Sequence, residues 1–115
     1  MNDLKIGTDI ISIKRFRRRF EKVRAKFERD VFWGEEYAGN SSAEHLAGIF
    51  AAKEAAMKAL GLCPGAWKDI KITKDSSDRP RLILMGNKTH AVKYADLSIS
   101  HDGNYAIAVV VIVMK

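Results

Sequence analysis

The sequence predicts an α+β domain in which an antiparallel sheet packs with helices. Three observations carry that prediction. The strong helical periodicities lie in the first half of the chain, strand-like alternation dominates the second half, and "HDGN" (residues 101–104) supplies the Asp-Gly and Gly-Asn pairs of a tight hairpin. With 115 residues the chain is expected to be a single domain, 1–115, built on one modest core.

The elements follow in order. "LKIGTDIISI" is rich in isoleucine and reads as an opening strand. In "KRFRRRFEKVRAKFERDVF", Ile13, Phe16, Phe20, Val23 and Phe27 recur at steps of three or four, the stripe of one amphipathic helix. "NSS" (40–42) precedes a second helix, with Ser42 as N-cap and His45 at the third helical position. That helix is expected to run to Leu60 and stop at Gly61. "DIKIT" and "RLILM" alternate as half-buried strands around the polar turn "KDSSDRP", and "NKTHAVKYA" reads as a short helix. "DLSIS" and "YAIAVVVIV" flank the hairpin turn. The second of these is apolar enough to suggest a strand buried on both faces.

Composition narrows the function. A formal charge of +6 and a pI near 9.6 point to an acidic partner: a nucleic acid, a phosphorylated ligand or an acidic protein. The lone Cys63 excludes an internal disulfide and a cysteine-only metal site. "MNDLKIGTDI" lacks a signal peptide's apolar core, and "AIAVVVIVM" is about half a membrane span, so a soluble, cytoplasmic protein is expected.

Three constellations bear on chemistry. Within "FAAKEAAMKALG" (50–61), Glu54 and Lys58 are four apart and share a helix face, with Lys53 one position round. On spacing alone this is an ordinary exposed ion pair. Asp9 interrupts an apolar strand after Gly7, a residue that permits close approach of backbone or ligand. A carboxylate there needs a partner or a cation. If Asp9 and Glu54 met, the pair would suit a Mg²⁺ ion that keeps waters and takes phosphate oxygens, with Lys58 neutralising further charge. Finally, the first helix carries a dense basic face, either simply solvated or docking an acidic surface.

Together these residues resemble a known family. "IGTDIISIKRF" (6–16), "FAAKEAAMKALG" and "SISHDGNYAIAVVV" (98–111) are similar to the three signature regions of the holo-acyl-carrier-protein synthases, the short class of 4′-phosphopantetheinyl transferases. The resemblance implies the fold of that superfamily and the transfer of phosphopantetheine from coenzyme A to a serine of an apo acyl carrier protein. By position it implies Asp9 and Glu54 as Mg²⁺ ligands. Glu54, Lys58 and His101 would act in catalysis, with Glu54 working through a water as first choice of base and His101 or Asp102 as second. Lys53, Lys58, Gly61, His101 and Asp102 would lie along coenzyme A. Arg15, Arg18 and Arg19 would meet the acidic carrier. The short class implies a homotrimer with active sites between subunits, and neither membrane nor nucleic acid as partner.

The chain also departs from the family pattern. Ile49 stands where an arginine is common, Leu62-Cys63-Pro64 follow Gly61 in place of Thr-Gly, and Asp78-Arg79-Pro80 replace Gly-Lys-Pro. Ile49 makes a catalytically impaired carrier-binding homologue one alternative. A small basic nucleic-acid-binding module is another, though it leaves Asp9 and Glu54 without a role.

Overall fold

The computed structural model describes residues 3–38, 41–86 and 91–115. Strand β1 (Asp3–Ser12) leads into helices α1 (Ile13–Lys22), α2 (Arg24–Asp30) and α3 (Gly34–Tyr37), then the long helix α4 (Ala43–Leu60). A 3₁₀ turn (Ala66–Asp69) precedes strands β2 (Ile70–Lys74), β3 (Pro80–Leu84), β4 (Val92–Asp102) and β5 (Tyr105–Met114). The strands form two antiparallel sheets, β1-β5-β4 and the hairpin β2-β3.

Helix α4 begins and ends where its caps dictate. The Ser42 side chain accepts the His45 N–H, and Gly61 adopts a left-handed φ of 64° that lets its own N–H reach back to the last turn. Between them the alanines at 51, 52, 55, 56 and 59 are buried, so the helix backbone itself lies against the sheet. Gly7 makes that approach possible: a Cβ there would sit 1.9 Å from the Ala55 carbonyl oxygen. Leu46, Ile49 and Met57 complete the buried stripe of α4. Burial of each such side chain is worth about 1.5–3 kcal/mol.

Three expectations are corrected. The basic segment is two helices, because Val23 leaves helical geometry (φ −131°, ψ 42°) and is exposed. In one straight helix Phe16 and Phe27 would be ~16 Å apart along the axis. The bend brings their rings to 5.5 Å, edge to face, with Phe20 and Phe32 alongside. The gain is a closed aromatic cluster. Second, the segment read as a short helix at 87–95 is strand from Val92 onward, recruited by pairing with the long β5, while 87–90 lie outside the described residues. Third, β5 is buried on one face only. Ala106, Ala108, Val110 and Ile112 face α4, whereas Tyr105, Ile107 and Val109 are exposed beside Leu4, Ile6 and Ile10 of β1.

The hairpin tip is tied to α1. Asn104 takes the Lys14 N–H on Oδ1 (2.9 Å) and the Ile13 N–H on its backbone oxygen (2.7 Å), and donates from Nδ2 to the Ser12 hydroxyl (2.9 Å). Ser12 in turn accepts the Arg15 N–H at 3.2 Å. The first-turn N–H groups that a helix leaves open are satisfied from the β4–β5 turn, which fixes the direction of α1. Among the described residues, no helix is long and apolar enough to cross a membrane.

Candidate active site

β1 directs Gly7, Asp9 and Ile11 toward α4, and the close contact at Gly7 sets the distance between the two elements. One turn along the helix, Lys58 Nζ donates to Asp9 Oδ1 at 3.0 Å and to the Thr8 carbonyl at 3.1 Å. Asp9 is largely covered, with 16% of its side chain exposed, whereas Lys58 is 58% exposed. Among the described residues, Lys58 thus engages two of its three ammonium N–H groups, which leaves one for an incoming oxyanion.

Glu54 lies one helical turn before Lys58 on the same side of α4. Its Oε1 accepts the indole N–H of Trp67 at 3.3 Å, and Trp67 stacks on Phe50 with ring centres 6.1 Å apart. From there Glu54 borders a groove of about 750 Å³ with an aromatic floor that includes Phe16 and Phe50 and a rim carrying Arg15, Arg19, Lys22 and Lys26. Arg15 and Arg19 are one turn apart on this rim, and Arg18 is exposed on α1 beside them. Trp67 is a site residue that sequence reasoning missed. An aromatic donor three residues before a strand carries no signal of its own, and only the fold shows which carboxylate it reaches.

As a donor set, Asp9 and Glu54 offer hard carboxylate oxygens. Among the described residues no three His, Cys, Asp or Glu side chains cluster as a closed metal cage. Two carboxylates with the remaining positions left to water and phosphate fit Mg²⁺.

Lys53 is not placed where coenzyme A could touch it, which corrects that expectation. Its ammonium is fully buried, 2.7 Å from Glu36 Oε1, and donates to the Val31 carbonyl at 2.6 Å and the Trp67 carbonyl at 3.4 Å. Glu36 also accepts the Trp33 and Ile72 N–H groups, at 2.6 and 2.8 Å. The pair therefore ties α4 to α3, β2 and the 3₁₀ turn, with its charges compensated by four backbone groups. Burial pushes the Lys53 ammonium down to about 8, against the attraction of Glu36. Glu36 escaped sequence reading because nothing in "WGEEY" distinguishes it from its exposed neighbour Glu35.

His101 and Asp102 do not act together, since alternation along β4 sends them to opposite faces of the sheet. His101 turns toward α4, with Nε2 3.0 Å from the Glu44 carbonyl oxygen, and the space it occupies exists because residue 48 is glycine. Asp102 is exposed on the outer face, beside Ser98 and Ser100. Along α4, Glu44 lies about 20 Å from Lys58, so one chain places His101 and the Asp9–Lys58 pair at opposite ends of the helix. Gly61, at the Lys58 end, is the helix cap described above.

Comparison with known proteins places the fold. Residues 5–110 match the model of the 4′-phosphopantetheinyl transferase superfamily. The chain belongs to that superfamily. Within it, the chain is 42% identical over 114 residues to the holo-[acyl-carrier-protein] synthase of Sulfurovum sp., covering 95% of this chain and 96% of the relative. Among solved structures it is similar to the Helicobacter pylori holo-[acyl-carrier-protein] synthase in complex with coenzyme A. That likeness has a TM-score of 0.86 at 35% identity, over 93% of this chain and 98% of the other. The Bacillus anthracis synthase in complex with coenzyme A (3′,5′-ADP) is also similar, with a TM-score of 0.79 at 32% identity over the whole of both chains. The resemblance read from the three sequence regions therefore holds for the family and for the fold.

Proposed function

We infer that this chain transfers 4′-phosphopantetheine from coenzyme A to a serine hydroxyl of an apo acyl carrier protein, releasing adenosine 3′,5′-bisphosphate. The observation that carries this reading is the meeting of Asp9 with Lys58, one turn from Glu54, in a chain of this family. Asp9 and Glu54 would hold Mg²⁺, which when bound supplies positive charge against the pyrophosphate.

The chain's own residues do the rest. The serine oxygen forms a bond to the β-phosphorus while the bond from that phosphorus to the bridging oxygen of the pyrophosphate breaks, and negative charge accumulates on the departing phosphate. Lys58, held by Asp9 and Thr8 with one N–H free, meets that charge without reorganising. Glu54, steadied by Trp67, takes the serine proton through a water, a placement the groove beside it allows. His101 remains the second choice of base. Asp102, on the opposite sheet face, is set aside.

Arg15 and Arg19 on the rim of the same groove, with Arg18 exposed beside them on α1, receive the acidic carrier, so the incoming serine arrives on the Glu54 side. The reading includes a homotrimer with active sites between subunits. Two observations support it: the uncovered apolar sheet face, and the separation of His101 from Lys58 within one chain. A cytoplasmic setting and a single domain over 1–115 belong to the same proposal.

The test is to incubate the protein with coenzyme A, Mg²⁺ and several apo carrier proteins, following adenosine 3′,5′-bisphosphate by chromatography. Release that depends on the apo carrier is expected. No release with any carrier would sink the reading.

A further inference from the structure

Glu54 differs from the other covered carboxylates around it in having no cation. Asp9 is held by Lys58 at 3.0 Å and Glu36 by Lys53 at 2.7 Å. Glu54, half-buried, makes no ion pair among the described residues, and its hydrogen-bond partner there is a neutral donor, the Trp67 indole at 3.3 Å. A carboxylate covered this far by one neutral donor keeps its charge uncompensated and calls for a cation. We propose that Trp67 determines which cation that is: by holding Oε1 of Glu54 it leaves Oε2 alone to the metal, and so selects Mg²⁺ over Ca²⁺. The proposal rests on the transferase reading above, which takes Glu54 as a metal ligand, and deepens it.

The indole is fixed from three sides. Its ring stacks on Phe50, with centres 6.1 Å apart and 29° between the planes. Its backbone carbonyl accepts the Ile70 N–H that closes the 3₁₀ turn, and the Lys53 ammonium at 3.4 Å. Lys53 is itself fixed by Glu36 and by the Val31 carbonyl. The buried ion pair therefore braces the backbone of the residue whose side chain meets Glu54. Two neighbouring positions of α4, 53 and 54, grip Trp67 at its backbone and at its ring. A donor held in this way keeps the carboxylate oriented when it takes a ligand.

Mg²⁺ and Ca²⁺ ask different things of a carboxylate. Mg²⁺ demands a near-ideal octahedron at about 2.0–2.1 Å and keeps several waters. The two oxygens of one carboxylate lie too close together to fill two corners of so small an octahedron, so a single oxygen suits it. Ca²⁺ takes about six to eight oxygens at about 2.3–2.6 Å and accommodates both oxygens of a carboxylate. With Oε1 committed to the indole, Glu54 meets the first demand and refuses the second. Asp9 follows the same pattern, since Lys58 Nζ engages its Oδ1 at 3.0 Å. Both carboxylates are thus presented one oxygen at a time.

The experiment is calorimetric titration of the intact protein, with coenzyme A present, with MgCl₂ and with CaCl₂, the heats of coenzyme A alone being subtracted. The wild type is expected to prefer Mg²⁺. Trp67→Phe keeps a ring on Phe50 but has no donor. It should weaken Mg²⁺ binding about tenfold, the low end for losing the outer partner of a metal ligand, and leave Ca²⁺ within about twofold. A role for Trp67 in packing alone would weaken both ions alike. An unchanged ratio of the two dissociation constants, or a wild type that prefers Ca²⁺, overturns the proposal while the transferase reading stands. The wild type also gives a readout that needs no variant. The chain has two tryptophans, and the Trp67 indole N–H can be assigned in nitrogen-15 NMR through its contact with Phe50. That N–H should remain protected from solvent exchange when Mg²⁺ is bound, and loss of protection would equally overturn the proposal. If the wild type binds neither ion, the metal ligands of the transferase reading fall and take the proposal with them.

Discussion

At the level of single residues, Gly7 and Ala55 set the spacing on which the site depends. Giving residue 7 a Cβ forces it against a helix carbonyl at 1.9 Å, so Gly7→Ala must push α4 away from β1. A loss of about 3 kcal/mol is expected, at the upper end for overpacking, read by urea denaturation. The buried Lys53–Glu36 pair makes a second prediction. Lys53→Met leaves Glu36 without its cation and should cost about 3–5 kcal/mol. The sign of its pH dependence follows from the shift: the ammonium titrates near 8 in the folded chain against an ordinary 10.5. Between those values the unfolded chain holds more protons, so the stability from this site rises with pH. The gap between wild type and Lys53→Met should therefore widen from pH 8 to 10. Helix spacing placed Glu54 and Lys58 on one face, because that period is local, whereas Asp9 joined them only through the family resemblance, because spacing within α4 says nothing of a distant strand. Sequence misplaced Lys53, one position round from Glu54, because which side of α4 is buried depends on β2 and α3 packing from far along the chain.

At the level of elements, α1 owes its direction to the β4–β5 turn. Asn104→Ala removes a side chain that both accepts from Lys14 and donates to Ser12, and is expected to cost about 1–2 kcal/mol, the scale of a lost helix cap. It should also raise the KM for the carrier, since Arg15 and Arg19 ride on the same helix. Raising salt should weaken carrier binding in the wild type, and less so in Arg15→Ala. The ends of α4 were legible to the residue because Ser42 and Gly61 act locally. The break at Val23 was not, because the aromatic cluster that stabilises it joins Phe16 to Phe27 and Phe32 only after the chain has turned. The turn 75–79 lies between: the sequence lacks the family's glycine, and Asp78 adopts the left-handed φ of 64° that glycine would take.

At the level of the whole molecule, the uncovered face of the β1-β5-β4 sheet is the largest unanswered feature of a single chain. Ile6, 69% exposed, and Ile10 stand there with Ile107 and Val109 in adjoining register. Apolar surface of this kind calls for a partner layer. The proposed trimer would supply one, and would also bring the His101 end of one chain toward the Lys58 end of another. Ile6→Glu should dissociate the assembly in sedimentation and abolish transfer together. The alternation "YAIAVVVIV" lacks polar residues on either face, which is why sequence alone read β5 as buried twice. The fold covers one side, and in the proposed trimer a second copy would cover the other.

The central claim is that phosphopantetheine transfer runs through Asp9 and Glu54. Its most direct measurement is the intact mass of an apo carrier protein after incubation with coenzyme A, Mg²⁺ and the wild type, Asp9→Ala or Glu54→Ala. The account predicts one added phosphopantetheinyl group with the wild type and none with either variant, although both variants keep the wild-type unfolding transition. Near-normal modification by either variant would contradict it.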